Sequence, residues 1–244
     1  MKYSILTLFP EVFQFLETYS VIGKGVENSS FTYETIDIRE FSTNKHKKVD
    51  DYSYGGGPGM VMKAQPIVDA IQSVKAPSSK VIYLSPRGKV LTQEKLMDLS
   101  KEEHLILLNG HYEGIDERVI ENYVDEEISI GDYILSGGEI ASLVLIDGIS
   151  RLLQGVLSNA ESIQEESHSS GLLEYPHYTR PFDFEGHLVP EVLISGNHEK
   201  IEKYRREKSL EVTYRRRPDL LEKAELSKAD LEYLNRLKEN LKED

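Results

Sequence analysis

Apolar and polar positions change period several times along this chain. Residues 3–8, 31–38, 80–85, 104–108 and 126–130 are short apolar runs with the length of strands. Between them, residues 10–17, 65–74, 92–100 and 116–123 carry apolar residues at helical spacing. This alternation predicts an α/β layer on a largely parallel sheet. Residues 138–154 differ. Ile140, Leu143, Val144, Ile146, Ile149 and Leu152 place apolar groups round most of the turn, the pattern of a helix buried at a subunit interface. Residues 158–171 are rich in Ser, Glu, Gln and Asn, the composition of a mobile linker. Beyond Pro176 the periodicity is helical, with small packed helices predicted over 220–226 and 231–241. The expected organisation is a domain over 1–157, a flexible linker over 158–175 and a helical domain over 176–244. No internal repeat is visible.

Two apolar runs end in glycine-bearing turns of similar grammar. One reads Ile-Ser-Ile-Gly-Asp-Tyr-Ile-Leu-Ser-Gly-Gly-Glu over 128–139, the other Asn-Gly-His-Tyr-Glu-Gly-Ile-Asp-Glu-Arg over 109–118. Two such strand-end loops predict one shared ligand site. The densest glycine cluster, Tyr54-Gly55-Gly56-Gly57-Pro58-Gly59, has no Gly-Lys-Ser/Thr after it and so is no P-loop. Residues 49–53 before it are not an apolar strand, which argues against a dinucleotide fingerprint. An anion cradle and a plain flexible turn both remain open there.

Composition narrows the class. Of the 244 residues 39% are hydrophobic and 29% charged, and no apolar run approaches the roughly 20 residues of a membrane helix. The first nine residues are too short for a signal peptide and cysteine is absent, so a cytoplasmic location is the default expectation. The formal charge of −13 argues against wholesale coating of nucleic acid, but basic residues cluster. Residues 200–218 hold eight basic side chains against three acidic ones, and Arg39, Lys45, His46, Lys47 and Lys48 form a second group. A local RNA footprint is compatible with that distribution, as are solvated helix and loop faces. There is no His-Glu-x-x-His pair and no Gly-x-Ser-x-Gly elbow, so neither a zinc site nor a serine hydrolase is indicated.

Taken in order, Leu8-Phe9-Pro10, Val49-Asp50-Asp51 with 54–60, Tyr83-Leu84-Ser85-Pro86, 110–118, 130–139, Gly171-Leu172-Leu173 with 176–181, 193–198 and Arg216-Arg217-Pro218-Asp219-Leu220-Leu221 resemble one family. It is the bacterial tRNA (guanine-N1)-methyltransferases, and the similarity spans essentially the whole chain. The resemblance implies a SPOUT-type α/β methyltransferase domain with a deep trefoil knot, followed by a small helical C-terminal domain. Patterning alone predicts an unknotted doubly wound sheet, because knots are rare exceptions to ordinary connectivity. The resemblance further implies a homodimer, S-adenosylmethionine as cofactor and tRNA as partner. Magnesium accompanies the family's activity, with no ligand spacing here to place it.

On that resemblance the cofactor loops are Tyr83, Leu84, Ser85 and Pro86; Gly110, Glu113 and Gly114; and Ile130, Gly131, Asp132, Tyr133, Ile134, Leu135, Gly137 and Gly138. Glu113 is a candidate neighbour of the cofactor's positive sulfonium. Methylating N1 of guanine requires removal of the proton that N1 carries at neutral pH. The family's base is a linker aspartate, and the matching residue here is Glu166, a carboxylate one methylene longer, with Glu165 as its competitor. Arg151 matches an arginine that assists by stabilising charge on the guanine O6. His46, Tyr54, Gly55, Gly59, Lys200, Arg205, Arg215 and Arg216 are the candidate tRNA contacts. The expected reaction is methylation of the guanine immediately 3′ of the anticodon. Competing readings are a catalytically silent tRNA-binding relative, favoured by the Asp-to-Glu change, and a Rossmann-type small-molecule methyltransferase.

Overall fold

The computed structural model describes residues 1–157, 167–168 and 171–240. The chain forms two compact units, Met1–Ser158 and Asn159–Asp244. In the first, five parallel strands make one sheet: β1 (Lys2–Thr7), β2 (Thr32–Asp37), β5 (Ser79–Val90), β6 (His104–Asn109) and β7 (Glu126–Ser129), in the order β2-β1-β6-β5-β7. Two-residue strands β3 (Asp50–Asp51) and β4 (Val61–Met62) pair antiparallel beside it. All five strands predicted from the apolar runs are present.

Helices cover both faces because successive side chains of a strand point to opposite sides. Tyr3, Ile5, Ile82, Leu84, Leu105 and Leu107 pack on one face against α1 (Phe15–Thr18), α2 (Ser20–Glu27), α4 (Gln93–Leu99) and α6 (Glu139–Ser150). Leu6, Val81, Tyr83, Ile106 and Leu108 pack on the other with α3 (Ala64–Val74) and α5 (Glu117–Tyr123). Strands buried on both faces read as continuous apolar runs, which is why β6 shows no alternation in sequence.

Two helical features depart from the pattern. Segment 10–17 is a short 3-10 turn (Pro10–Gln14) leading into α1, and α2 follows it, a helix that periodicity alone does not predict. Its glycines explain why periodicity misses α2: a Cβ on Gly25 would press the Phe31 ring and Val156, so the helix gives up propensity for a close approach. The predicted apolar helix over 138–154 is α6, shorter at both ends. It buries Ala141, Leu145, Ile146 and Ile149 against the sheet, while Ile140 and Val144 remain exposed on the opposite face. The helix is therefore two-sided within one chain rather than buried all round.

The second unit has its own small core of Leu172, Leu210 and Leu234, joined by Tyr214, Leu221 and Leu237. Its longest element is α7 (His198–Arg216), which lies in the basic stretch and not in either segment predicted to form small helices. The predicted helix over 220–226 is only the short α8 (Pro218–Leu221), and that over 231–241 is α9 (Lys228–Asn240), which starts earlier. A reciprocal cap sets that start: Ser227 N–H donates to Asp230 at 2.9 Å and Asp230 N–H to the Ser227 hydroxyl at 3.2 Å. Arg206 also grips Asp230, from across the α7–α9 contact.

One buried polar group makes the sheet pH-sensitive. His104, at the start of β6, bridges Ser4 Oγ at 2.8 Å and Ser79 Oγ at 2.7 Å across its two neighbouring strands. Burial holds its imidazole below the ordinary value of 6.5; the Lys2 ammonium adds to this and Glu34 opposes it. The folded state thus favours the neutral ring, so the stability gained here is full above 6.5 and is lost as pH falls below it. The wild-type melting midpoint is expected to drop between pH 7 and pH 5 by more than that of His104→Gln; equal drops would contradict this role.

Candidate functional site: a cavity between three strand-end loops

The site begins where β5 stops being regular. Leu84 and Lys89 both pair with Ile128 of β7, so residues 85–88 loop out of the ladder and the strand then rejoins it. Gly88 allows the return: a Cβ there would lie 2.5 Å from the Glu127 carbonyl carbon and the Ile128 nitrogen. A second loop, 110–114, leaves the adjacent β6, and a third, 130–138, leaves β7 and enters α6. Gly138 N–H donates to the Gly110 carbonyl at 3.1 Å, and His111 and Gly137 form an isolated antiparallel bridge. The second and third loops are thereby fastened backbone to backbone.

Between the three loops lies a cavity of about 300 Å³. This is the carboxyl edge of a parallel sheet, where open α/β proteins bind ligands. Tyr83, Leu84, Ser85, Pro86, Gly110, Glu113 and Gly114 line it, as do Ile130, Gly131, Tyr133, Ile134, Leu135, Gly137 and Gly138. Asp132 is exposed and is not part of the lining. Burial pushes the Tyr83 phenol up to about 12, the Glu127 carboxylate adding to the effect, so at neutral pH it keeps its proton inside the cavity. A wider cleft of about 650 Å³ beside β2 is open surface flanked by Glu11, Glu17 and Glu34, with no converging loops.

The sequence pattern missed the polar groups that brace this cavity. Glu139, the first residue of α6, is buried; it accepts from Thr7 Oγ1 at 2.7 Å and pairs with His111 Nε2 at 2.8 Å. Asn109, also buried, donates to the Leu6 carbonyl at 2.8 Å and accepts from Ser142 Oγ at 2.6 Å. The available signal was a polar residue ending each of two apolar strands, Thr7 on β1 and Asn109 on β6.

A model of one family, described as tRNA (guanine-1)-methyltransferase TrmD, matches residues 1–223. The chain belongs to the tRNA (guanine-1)-methyltransferase family. It is 58% identical over 235 residues to a tRNA (guanine-N(1)-)-methyltransferase of Clostridium perfringens strain SM101, covering 96% of this chain and 99% of that one. A protein of the same name from Ruminiclostridium cellulolyticum is 57% identical over 226 residues, 91% and 97% of the two chains. Another, from Oceanobacillus iheyensis, is 53% identical over 238 residues, 96% and 97%.

The other candidate residues of this tRNA (guanine-1)-methyltransferase family member fall in several places. The glycine cluster reaches the cavity rim: Glu113 N–H donates to the Met60 carbonyl at 3.0 Å, and Gly59 packs on the Glu113 side chain so closely that a Cβ would collide with it. Tyr54 is fully exposed and nothing lies near a Cβ on Gly55. His46 is exposed, its N–H turned to Asn44 Oδ1. Arg151 caps the far end of α6, twelve residues from its start, so about 18 Å of helix separates it from the cavity loops of its own chain. Burial raises the carboxyl of Asp147, one turn before it, and Arg151 pulls the other way. Glu166 and Glu165 lie outside the described residues.

On α7, ion pairing takes up several of the basic groups. Arg205 pairs with Glu202 and lies over the Tyr175 ring at 5.0 Å, and Arg215 pairs with Glu211. Lys200 and Arg216 are exposed and make no ion pair among the described residues. No group of three or more His, Asp or Glu side chains among the described residues comes together as a metal site, and no described helix is long and apolar enough to cross a membrane.

The fastening of the two loops gives a sharp mutational expectation. A Cβ on Gly138 would lie 2.8 Å from Asn109 Cα, and backbone cannot swing aside as a flexible side chain can. Gly138→Ala should destabilise the first unit by about 1–3 kcal/mol through overpacking. The check is the denaturation midpoint; one equal to wild type would mean that the loops are not held this closely.

Proposed function

We propose that this protein methylates N1 of the guanine immediately 3′ of the tRNA anticodon, using S-adenosylmethionine. The observation that carries the reading is the cavity between the three glycine-bearing loops, in a chain whose relatives bear the name tRNA (guanine-N(1)-)-methyltransferase. The lining suits such a cofactor. Glycines at 110, 131, 137 and 138 let a nucleoside approach the backbone closely, Tyr83 and Ser85 add hydroxyls, and Leu84, Ile130 and Leu135 supply apolar walls. Bound there, S-adenosylmethionine supplies an electrophilic methyl group on a sulfonium. Glu113, at the rim, is a carboxylate suited to face that positive charge.

The trefoil knot of the fold belongs to the same reading. It is supported by the family membership of the chain, whose match runs over residues 1–223.

The acid-base work falls to the chain's own carboxylates. Glu166 takes the N1 proton as the methyl group arrives, and a guanidinium from Arg151 stabilises charge moved onto O6. Arg151 stands at the wrong end of α6 to serve the cavity of its own chain, which favours a homodimer in which each protomer completes the other's site. Ile140 and Val144, the exposed apolar residues of α6, fit such an interface. Exposed Lys200 and Arg216 on α7, with Tyr54, Gly55 and His46 near the glycine cluster, are the tRNA contacts. The cytoplasm is where such a substrate is found.

Labelled methyl transfer to an unmodified tRNA transcript tests this directly, alongside a transcript with adenine in place of the target guanine. Transfer should occur only to the first, and Glu166→Gln should lower kcat by about 10²–10⁴. No transfer to either transcript by a dimeric, cofactor-binding protein would reject catalysis in favour of a silent tRNA-binding role.

A further inference from the structure

We infer that Glu139 is a positioning residue: its buried carboxylate, shared between Thr7 and His111, holds the loop after β6 and the loop entering α6 at the separation the bound cofactor requires. This rests on the reading of the cavity as the S-adenosylmethionine site.

A carboxylate at the first position of a helix is favourable by itself, because it faces the positive end of the helix dipole. An exposed one serves that purpose without the penalty of desolvation. Glu139 is instead 5% exposed, and a buried carboxylate is costly unless fully partnered. Its two oxygens go to different elements: Oε1 accepts from Thr7 at the end of β1, and Oε2 meets His111 in the loop after β6. Thr7 Oγ1 is itself oriented, since it accepts the Phe9 N–H at 2.9 Å. The His111 ring is packed between Phe9, with centroids 4.9 Å apart, and the backbone of Gly137, where any Cβ would enter the ring.

The carboxylate therefore stands behind the wall of the cavity. His111 lines the cavity, whereas Glu139 and Thr7 do not. Glu139 acts through His111 and the loop it fixes, and touches no reacting group. Loss of the link should loosen the cofactor's walls while leaving the tRNA-contacting surfaces as they are.

Calorimetric titration with S-adenosylhomocysteine measures this. Thr7→Val keeps the shape of a residue outside the lining and removes its bond to the carboxylate; Glu139→Leu removes the acceptor at similar volume. Each should weaken binding about tenfold, the effect of one charge-assisted hydrogen bond. The double variant should be no weaker than either alone, because both break one connection. Glu139→Gln, which retains an acceptor, should recover part of the loss. KM for S-adenosylmethionine should rise in step, while kcat at saturating cofactor and tRNA affinity stay within about twofold. Unchanged binding in Thr7→Val, additive losses in the double variant, or losses spread equally over kcat and tRNA affinity would each overturn the inference. Thr7→Val remains decisive if the Glu139 variants fold poorly. Wild-type protein that does not bind S-adenosylhomocysteine would instead remove the cofactor reading, and this inference with it.

Discussion

Backbone contact between Gly138 and the end of β6 is the constraint on which the rest of the site depends. Once the Gly138 amide donates to Gly110 and the Gly138 α-carbon lies against Asn109, the loop leaving β7 cannot drift from the loop leaving β6. The cavity is the space left when the excursion of residues 85–88 closes the third side. Each of these approaches is closer than a β-carbon permits, so glycine is required at 88 and 138 by geometry rather than by any need for unusual dihedrals. The polar groups behind the wall follow from the same closeness. Buried Asn109 and Glu139 have partners because the three elements they join, β1, β6 and α6, already meet there.

The strands were legible in the sequence because each apolar run is buried on both faces, and the carboxyl-edge location of the site followed from the two glycine-bearing turns that end β6 and β7. The helices were less so. In α2, Gly23 and Gly25 weaken the helical signal in favour of close packing, Gly25 against Phe31 and Val156. Helix α6 looked apolar round most of the turn because sequence counts the exposed Ile140 and Val144 with Ile146 and Ile149, although only the latter pair is buried. In the second unit, the helical periodicity read beyond Pro176 includes α7, but only three of its residues, Ser209, Leu210 and Thr213, are buried, so its bounds were not marked by an apolar stripe. His111 and Glu139 were invisible for a further reason: their importance lies in meeting each other across 28 positions of chain.

Charge illustrates the difference between totals and arrangement. A chain with a formal charge of −13 is an unpromising ligand for a polyanion, and ion pairs within α7 take up part of its basic surplus. What remains is a small set of exposed cations, Lys200 and Arg216 among them, beside a family membership that names tRNA. Binding by few phosphate contacts is weakly salt-dependent compared with binding by a wholly basic surface.

Hydrogen exchange of the wild-type protein, with and without S-adenosylhomocysteine, tests most directly whether the three loops form one cofactor site. Amides of residues 85, 87–88, 110–114 and 130–138 should all slow together, by about tenfold or more at saturation, while those of the edge strand β2 stay unchanged. Protection of only one loop, or protection centred on the open cleft beside β2, would contradict the account.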